Sequence, residues 1–336
     1  MKENVLNYIP LQVYRYLRWR KPMMHDYRQT RSRFGREYAR LCLDVDKAAY
    51  LNRSLGRKLA VCGKKDAYIM EYLENLCGDV IEAYKNRKPA PDHPDEKKRI
   101  WVFWWTGEET APPIVKACLK SIRENAAGRE VMFLDASNYS QYVDFPEYFL
   151  EKHSRGQITH AAFADALRVS LLARHGGVWI DATVFLSQPL PEHLSTDRFY
   201  TLRTVDEKAL YYSKSRWCGY FLAGSSSFPL FSFVRDMLLA YWERSEYIID
   251  YLLMDYIFGI ACKHFREISD VMEQLPDNNT QRAKLMNAIN EPYDEALFSR
   301  LEHGDTFASK LSWRYGDPRE RTAGGELTNY GHLLRK

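Results

Sequence analysis

From residue 100 on, short apolar runs alternate with helical stretches, and few folds suit a chain written that way. Ile100–Trp104 is apolar and ends at Thr106-Gly107, which predicts a buried strand. Pro112–Asn125 reads as a helix, with proline near its start and polar residues at its end. A second strand is predicted over Glu130–Leu134, followed by Asp135. A helix over Thr159–His175 closes at Gly176-Gly177, and a third strand, Val178–Ile180, runs into Asp181. Strand, helix, strand, helix, strand predicts an α/β fold with a parallel sheet, whose ligands bind at the carboxyl ends of the strands. Trp105-Thr106-Gly107, Asp135 and Asp181 all fall at such ends. Further on, residues 198–270 mix short strand-like pieces with a helix over Leu230–Glu243, and another helix is predicted over Glu246–Lys263.

Upstream the texture differs. Residues 1–87 read as helical: Ser32–Leu59 has few breakers, and Ile69, Tyr72, Leu73, Leu76 and Ile81 recur at helical spacing. The Pro-rich polar run 85–95 separates this part from the rest, so two parts are expected, 1–95 and 96–336. Residues 1–65 carry 16 Lys/Arg against 5 acids, a net +11, while the remainder carries −7. Interleaved with Tyr8, Tyr14, Tyr16, Leu17 and Trp19, that block suits an anionic membrane surface, nucleic acid or a solvated helical face. No helix-turn-helix, zinc-finger or RNA-recognition pattern supports a nucleic-acid partner, and no Walker loop supports an NTPase. No secretory leader is legible, no apolar run approaches the roughly 18 residues of a membrane span, and no two of the six cysteines have metal or redox spacing. The expectation is a cytoplasmic protein, peripheral at the inner face of the cell membrane.

The chemistry concentrates in His160–Leu186, HAAFADALRVSLLARHGGVWIDATVFL. Asp165 and Arg168 lie three apart and share a helix face. Gly176-Gly177 permits positive φ and close approach of backbone to a ligand. Asp181 emerges from a buried strand. A diphosphate with a divalent cation and a sugar would use such a set: hard oxygen for the metal, a cation for phosphate, a carboxylate for hydroxyls. The same residues would also serve as a surface ion pair and an ordinary helix stop.

From about Arg99 to Leu190 the chain resembles the capsular polysaccharide synthesis proteins, relatives of glycosyltransferase family 32. The likeness lies in WVFWWTGEETAPPIV, CLKSIREN, EVMFLDASNY and ADALRVSLLARHGGVWIDATV. The last of these is also similar to the sugar-binding core of the large glucosylating bacterial toxins. In each, an Asp-x-x-Arg helix, a Gly-Gly and an Asp-x-Asp strand end follow one another at fixed spacing, here from Asp165 to Asp181. The likeness continues weakly through RWCGYFLAGSSSFPLF, YLLMDYIF and KLSWR.

The resemblance implies a GT-A fold, a Rossmann-like nucleotide-diphospho-sugar transferase domain, behind a helical N-terminal region. It implies a hexosyltransferase, retaining, that moves a hexose from a nucleoside diphosphate sugar, UDP-sugar favoured, to an oligosaccharide or glycolipid acceptor in surface polysaccharide synthesis. Asp165, Arg168, Asp181 and Asp255 are the implied catalytic set. Trp104, Trp105, Gly176, Gly177 and Trp313 join Asp165, Arg168 and Asp181 in donor binding. Asp181, Thr183 and His303 would hold Mn2+ or Mg2+, with Asp305 and Lys310 as further late candidates. The departure from the pattern is Thr183, where the second Asp of Asp-x-Asp is usual. A threonine hydroxyl is a weaker ligand for a hard dication, which leaves a non-catalytic sugar-nucleotide binder as the alternative. Asp255, inside an apolar helix, must be paired or used.

Overall fold

The computed structural model describes residues 11–87, 99–314 and 317–336, with side chains from Pro22 onward. The chain divides into two compact units. The basic aromatic block before Pro22 and most of the Pro-rich run lie outside the residues whose side chains are described.

The first unit comprises the chain up to Tyr72 together with Lys208–Tyr212. Helix α1 (Leu11–Tyr50) consists of two helical runs that meet at Gly35, where φ is +87°. Helix α2 spans Leu55–Leu76. Ser32–Leu59 has few breakers in the sequence, but Leu51–Ser54 turn the chain, with Asn52 at φ +45°. So short a connection returns α2 antiparallel along α1, and rings at matching distances from the turn meet. Tyr38 stacks on Tyr68 at 5.4 Å, and Phe34 meets Tyr72 edge-on at 6.2 Å.

The second unit, Leu73–Glu207 with Ser213–Lys336, begins inside α2 rather than at the Pro-rich run. The reason is side-chain bonding by the last turn of α2 and by α3 (Gly78–Lys85). Glu74 pairs with Lys263 and His264, Asp79 takes both guanidinium nitrogens of Arg244, and Tyr84 donates to Asp236 at 2.5 Å. These contacts tie residues 73–85 to two helices of the α/β body, α7 (Pro229–Arg244) and α8 (Leu253–His264).

That body is a five-stranded sheet, ordered β2-β1-β3-β6-β5. The strands are β1 (Arg99–Phe103), β2 (Glu130–Leu134), β3 (Gly177–Ile180), β5 (Phe199–Thr201) and β6 (Phe221–Gly224). A separate pair joins β4 (Val184–Leu186) to β7 (Ala308–Lys310). Strands β2, β1 and β3 are parallel, as the alternation predicts. Strand β6 is antiparallel to both β3 and β5, so the sheet is mixed where the sequence predicts a parallel one. No helix crosses back between β5 and β6, so nothing returns the chain to a parallel start. The consequence is positional. The carboxyl ends of β1, β2 and β3 share an edge with the amino end of β6, and the Asp181 N–H donates to the Tyr220 carbonyl at 2.9 Å.

Alternation along the strands distributes the core. Ile100, Val102, Val178 and Ile180 join one cluster with Ile114, Val115 and Leu119 of α4 (Pro113–Glu124). The intervening Phe103 meets Phe163 of α6 (His160–His175) at 6.2 Å. Helix α8 starts later than its apolar pattern predicts. Residues 246–252 instead wrap the Tyr241 hydroxyl, which donates to the Tyr247 carbonyl at 2.6 Å and accepts from the Ile249 N–H at 2.8 Å. Among the described residues no helix is long and apolar enough to cross a membrane.

Candidate active site

Helix α6 starts cleanly because Thr159, its N-cap, accepts from the Ala162 N–H at 3.2 Å. One turn further, Asp165 and Arg168 point toward the end of β3. Arg168 is not part of a surface pair: its side chain is 9% exposed, and its guanidinium spans two carboxylates. Nη1 donates to Asp165 Oδ1 at 2.5 Å and Nη2 to Asp181 Oδ1 at 3.1 Å. The guanidinium also lies over the Trp179 ring, 5.2 Å from its centroid. Charge-assisted bonds in such a setting fix geometry strongly.

Asp181 is the hub. Oδ1 accepts from Trp179 Nε1 at 2.8 Å as well as from Arg168, and Oδ2 accepts from Lys310 Nζ at 2.8 Å. The same ammonium donates to Thr183 Oγ1 at 2.8 Å and lies 5.0 Å from the Tyr220 ring. Burial pushes the Asp181 carboxyl up, but Lys310 and Arg168 outweigh it and hold it at about 2. At Asp165 burial prevails over Arg168, with Asp181 adding to it, and the carboxyl is pushed up to about 6. Two carboxylates around one guanidinium thus titrate apart.

Asp255 on α8 faces the same place. Its Oδ1 accepts from Trp217 Nε1 at 2.7 Å, and burial, with Asp165 adding to it, pushes it up to about 7. A carboxyl raised in the folded state contributes stability that is complete below its unfolded value near 4 and is lost as pH rises through about 7. Asp165 has the same sign, and Asp181, depressed, acts only below pH 4. The melting temperature should therefore fall between pH 5 and pH 8. In Asp255→Asn, which keeps an oxygen for Trp217, it should fall less. Parallel curves for the two proteins would show that Asp255 does not carry a buried proton.

Other sequence candidates divide. Trp104 and Trp313 come together edge-on at 5.6 Å, with Trp313 41% exposed, and Trp104 follows directly on β1. Trp105 turns the other way and is packed among His153 and His160, each at 4.5 Å, and Phe163. Asp135 caps its own turn, accepting from the Ser137 N–H and hydroxyl. Gly176 and Gly177 are set apart from the Asp181 cluster. They lie at the amino end of β3, about 13 Å along the strand from Asp181. Their backbone approach is to the neighbouring strand: Trp101 Nε1 donates to the Gly176 carbonyl at 2.9 Å, and a Cβ on Gly177 would come within 2.6 Å of the Arg99 carbonyl oxygen.

The implied metal set is not brought together. His303, at the end of α11 (Glu295–His303), hydrogen-bonds the Ser299 carbonyl one turn back, and Asp305 accepts from Thr280 and Thr306. No group of three His, Cys, Asp or Glu converges among the described residues. Both oxygens of Asp181 are taken, and the space between Asp181 and Thr183 holds the Lys310 ammonium.

Some site residues carry no local sign in the sequence. Gly219 brings the loop before β6 against helix α6: a Cβ there would come 3.0 Å from Arg168 Nη1 and 2.5 Å from the Met254 methyl. Arg282, beside Tyr220, donates to the Thr204 hydroxyl, and its carbonyl accepts from the Lys310 N–H at 3.0 Å. The β3–β6 pairing brings Gly219 to this place, and the β4–β7 pairing brings Lys310, with Arg282 behind it.

The chain thus holds an interlocked acid–base cluster at the parallel strand ends of a mixed α/β sheet. Residues 52–331 match the model of the capsular polysaccharide synthesis protein family, and the chain belongs to that family. An O-glycosyltransferase, braB, of Annulohypoxylon truncatum is 36% identical over 98 residues, covering 26% of this chain and 23% of braB. The chain thus spans about a quarter of that relative's length. The solved PaToxG glycosyltransferase aligns over 71% of this chain and 94% of its own, with a TM-score of 0.38 and 12% identity.

Proposed function

We propose that the chain is a GT-A-type glycosyltransferase of capsular polysaccharide synthesis that moves a hexose from a nucleoside diphosphate sugar to a hydroxyl of a glycan acceptor. The observation that carries this reading is the buried Arg168 held between Asp165 and Asp181 at the strand ends, with Lys310 on the far oxygen of Asp181. In transfer, the bond from the sugar's anomeric carbon to the diphosphate oxygen breaks, and its electron pair leaves with the nucleoside diphosphate. The acceptor oxygen bonds to that carbon, and its proton passes to an oxygen of the departing diphosphate. Negative charge grows on the diphosphate as this happens, so fixed cations at the site favour the transition state over the ground state. Asp165 and Asp181 supply acceptors for sugar and ribose hydroxyls, and the half-exposed Trp104–Trp313 pair offers an aromatic face to the base.

The test is a panel of UDP- and GDP-sugars with the full-length protein, reading release of nucleoside diphosphate with manganese and with EDTA. One donor should be turned over, and Asp181→Asn should lower the rate by about a hundredfold or more. Donor binding without turnover, even with a lipid-linked acceptor, would favour the non-catalytic binder. Absence of donor binding by calorimetry would remove the transferase reading.

A further inference from the structure

We infer that the Lys310 ammonium is this site's built-in counter-ion for the donor diphosphate, occupying the place of a divalent metal, so that the protein binds and uses its donor without one. The inference rests on the transferase reading above and goes beyond it.

Position is the first argument. Nζ lies 2.8 Å from Asp181 Oδ2 and 2.8 Å from Thr183 Oγ1, the two side chains of the Asp-x-Thr segment. A cation bridging those two oxygens is what a metal at this motif would be. The ammonium is also held from behind. Lys310 sits opposite Val184 in the β4–β7 pair, its N–H donates to the Arg282 carbonyl at 3.0 Å, and the Leu311 N–H donates to the Thr183 carbonyl at 2.8 Å. Backbone bonds on both sides fix the root of the side chain, and the bonds to Asp181 and Thr183 fix its ammonium.

Charge is the second argument. Two carboxylates at this motif would call for a dication. One carboxylate and one hydroxyl call for a single positive charge, which the ammonium supplies. The threonine at position 183 and the lysine at position 310 therefore explain each other. His303, the remaining candidate ligand, is engaged with its own helix.

Donor capacity is the third. An ammonium has three N–H bonds, and Asp181 and Thr183 take two. The third is available to a phosphate oxygen, and the side chain, 31% exposed, reaches solvent. When the glycosidic bond breaks, the charge left on the diphosphate meets an ammonium already in position, with no ion to recruit.

The experiment is calorimetric titration of the full-length protein with UDP and with GDP, in EDTA and in manganese chloride, with donor turnover measured in the same two buffers. The affinity for the preferred nucleotide and the turnover should agree between buffers within about threefold, well under a tenfold step of 1.4 kcal/mol. Lys310→Ala should weaken nucleotide binding in EDTA by about ten- to a hundredfold, the loss of one charged hydrogen bond. The double variant Thr183→Asp, Lys310→Ala should bind in manganese at least about tenfold more tightly than in EDTA, because it restores two carboxylates to an open cation site. Wild-type binding or turnover that collapses in EDTA and returns with manganese would overturn this inference and leave the transferase reading standing. Failure to bind either nucleotide or use any donor in both buffers would overturn both. The wild-type comparison needs no variant, so misfolding of Lys310→Ala cannot shield the inference.

Discussion

Exchanging Arg168 for methionine should cost the fold about 3–5 kcal/mol at pH 8, the usual penalty for removing one partner of a buried ion network. The guanidinium bridges Asp165 and Asp181, and methionine fills much of its volume without its charge. Asp165 already titrates near 6 with the arginine present. Without it the carboxyl rises further and takes up a proton, so the penalty should shrink toward pH 5.5, where neutralising Asp165 is cheap. Urea unfolding at the two pH values reads this directly. Arg168→Lys should recover part of the stability but not donor binding, since one ammonium cannot reproduce the two-pronged span. A methionine variant within about 1 kcal/mol of wild type at pH 8 would show that these charges are not desolvated, and the site as described would be wrong.

The second large effect is expected at Gly177. Its φ of +98° is strained for any side chain, and a Cβ would stand 2.6 Å from the Arg99 carbonyl oxygen and 3.3 Å from Trp101 Nε1. Both obstacles belong to β1, the partner strand, so relief requires the β1–β3 pairing to open. Gly177→Ala should cost about 3 kcal/mol or more, strain plus displacement of backbone. Gly35 provides the comparison: its φ is +87°, but nothing lies within 4 Å of an added Cβ. Gly35→Ala should cost only the conformational part, about 1–3 kcal/mol, and less than Gly177→Ala. Equal losses at the two glycines, measured by denaturant titration, would mean that the close approach to β1 carries no weight. This prediction also separates the glycine pair from the chemistry. A Gly177 variant that stays folded should bind nucleotide as wild type does, because the pair lies at the far end of β3 from Asp181.

Much of the fold was legible because its elements are decided locally. The helix of Asp165 and Arg168 has its cap at Thr159 and its stop at Gly176, and β3 is a short run of buried residues. Helical and strand periods are set by neighbouring residues along the chain, so these elements emerged with ends displaced by a residue or two. The central cluster was legible for the same reason: Asp165, Arg168 and Asp181 lie on consecutive elements with a tight turn between them, and so short a connection leaves them one place to meet.

What the tertiary structure decided is everything that depends on partners distant in sequence. Strand direction is one case: β6 pairs antiparallel with β3, which turns the loop before it, with Gly219 and Tyr220, onto the site. The ends of helices are another. The Tyr241 hydroxyl holds residues 246–252 out of the helix that their apolar spacing predicts. The glycine pair reads from the sequence as a ligand cradle or an ordinary helix stop, and only the placement of β1 reveals the close strand contact at Gly177. The largest case is Lys310. Its charge is written in the chain, but its meaning lies 127 residues away at Thr183, and only the β4–β7 pairing brings the ammonium between that hydroxyl and Asp181. Short-range periodicity therefore determined which groups this protein presents near the end of β3. Long-range strand pairing decided which cation answers them, because electrostatic partners are chosen by distance in space, and sequence separation does not report it.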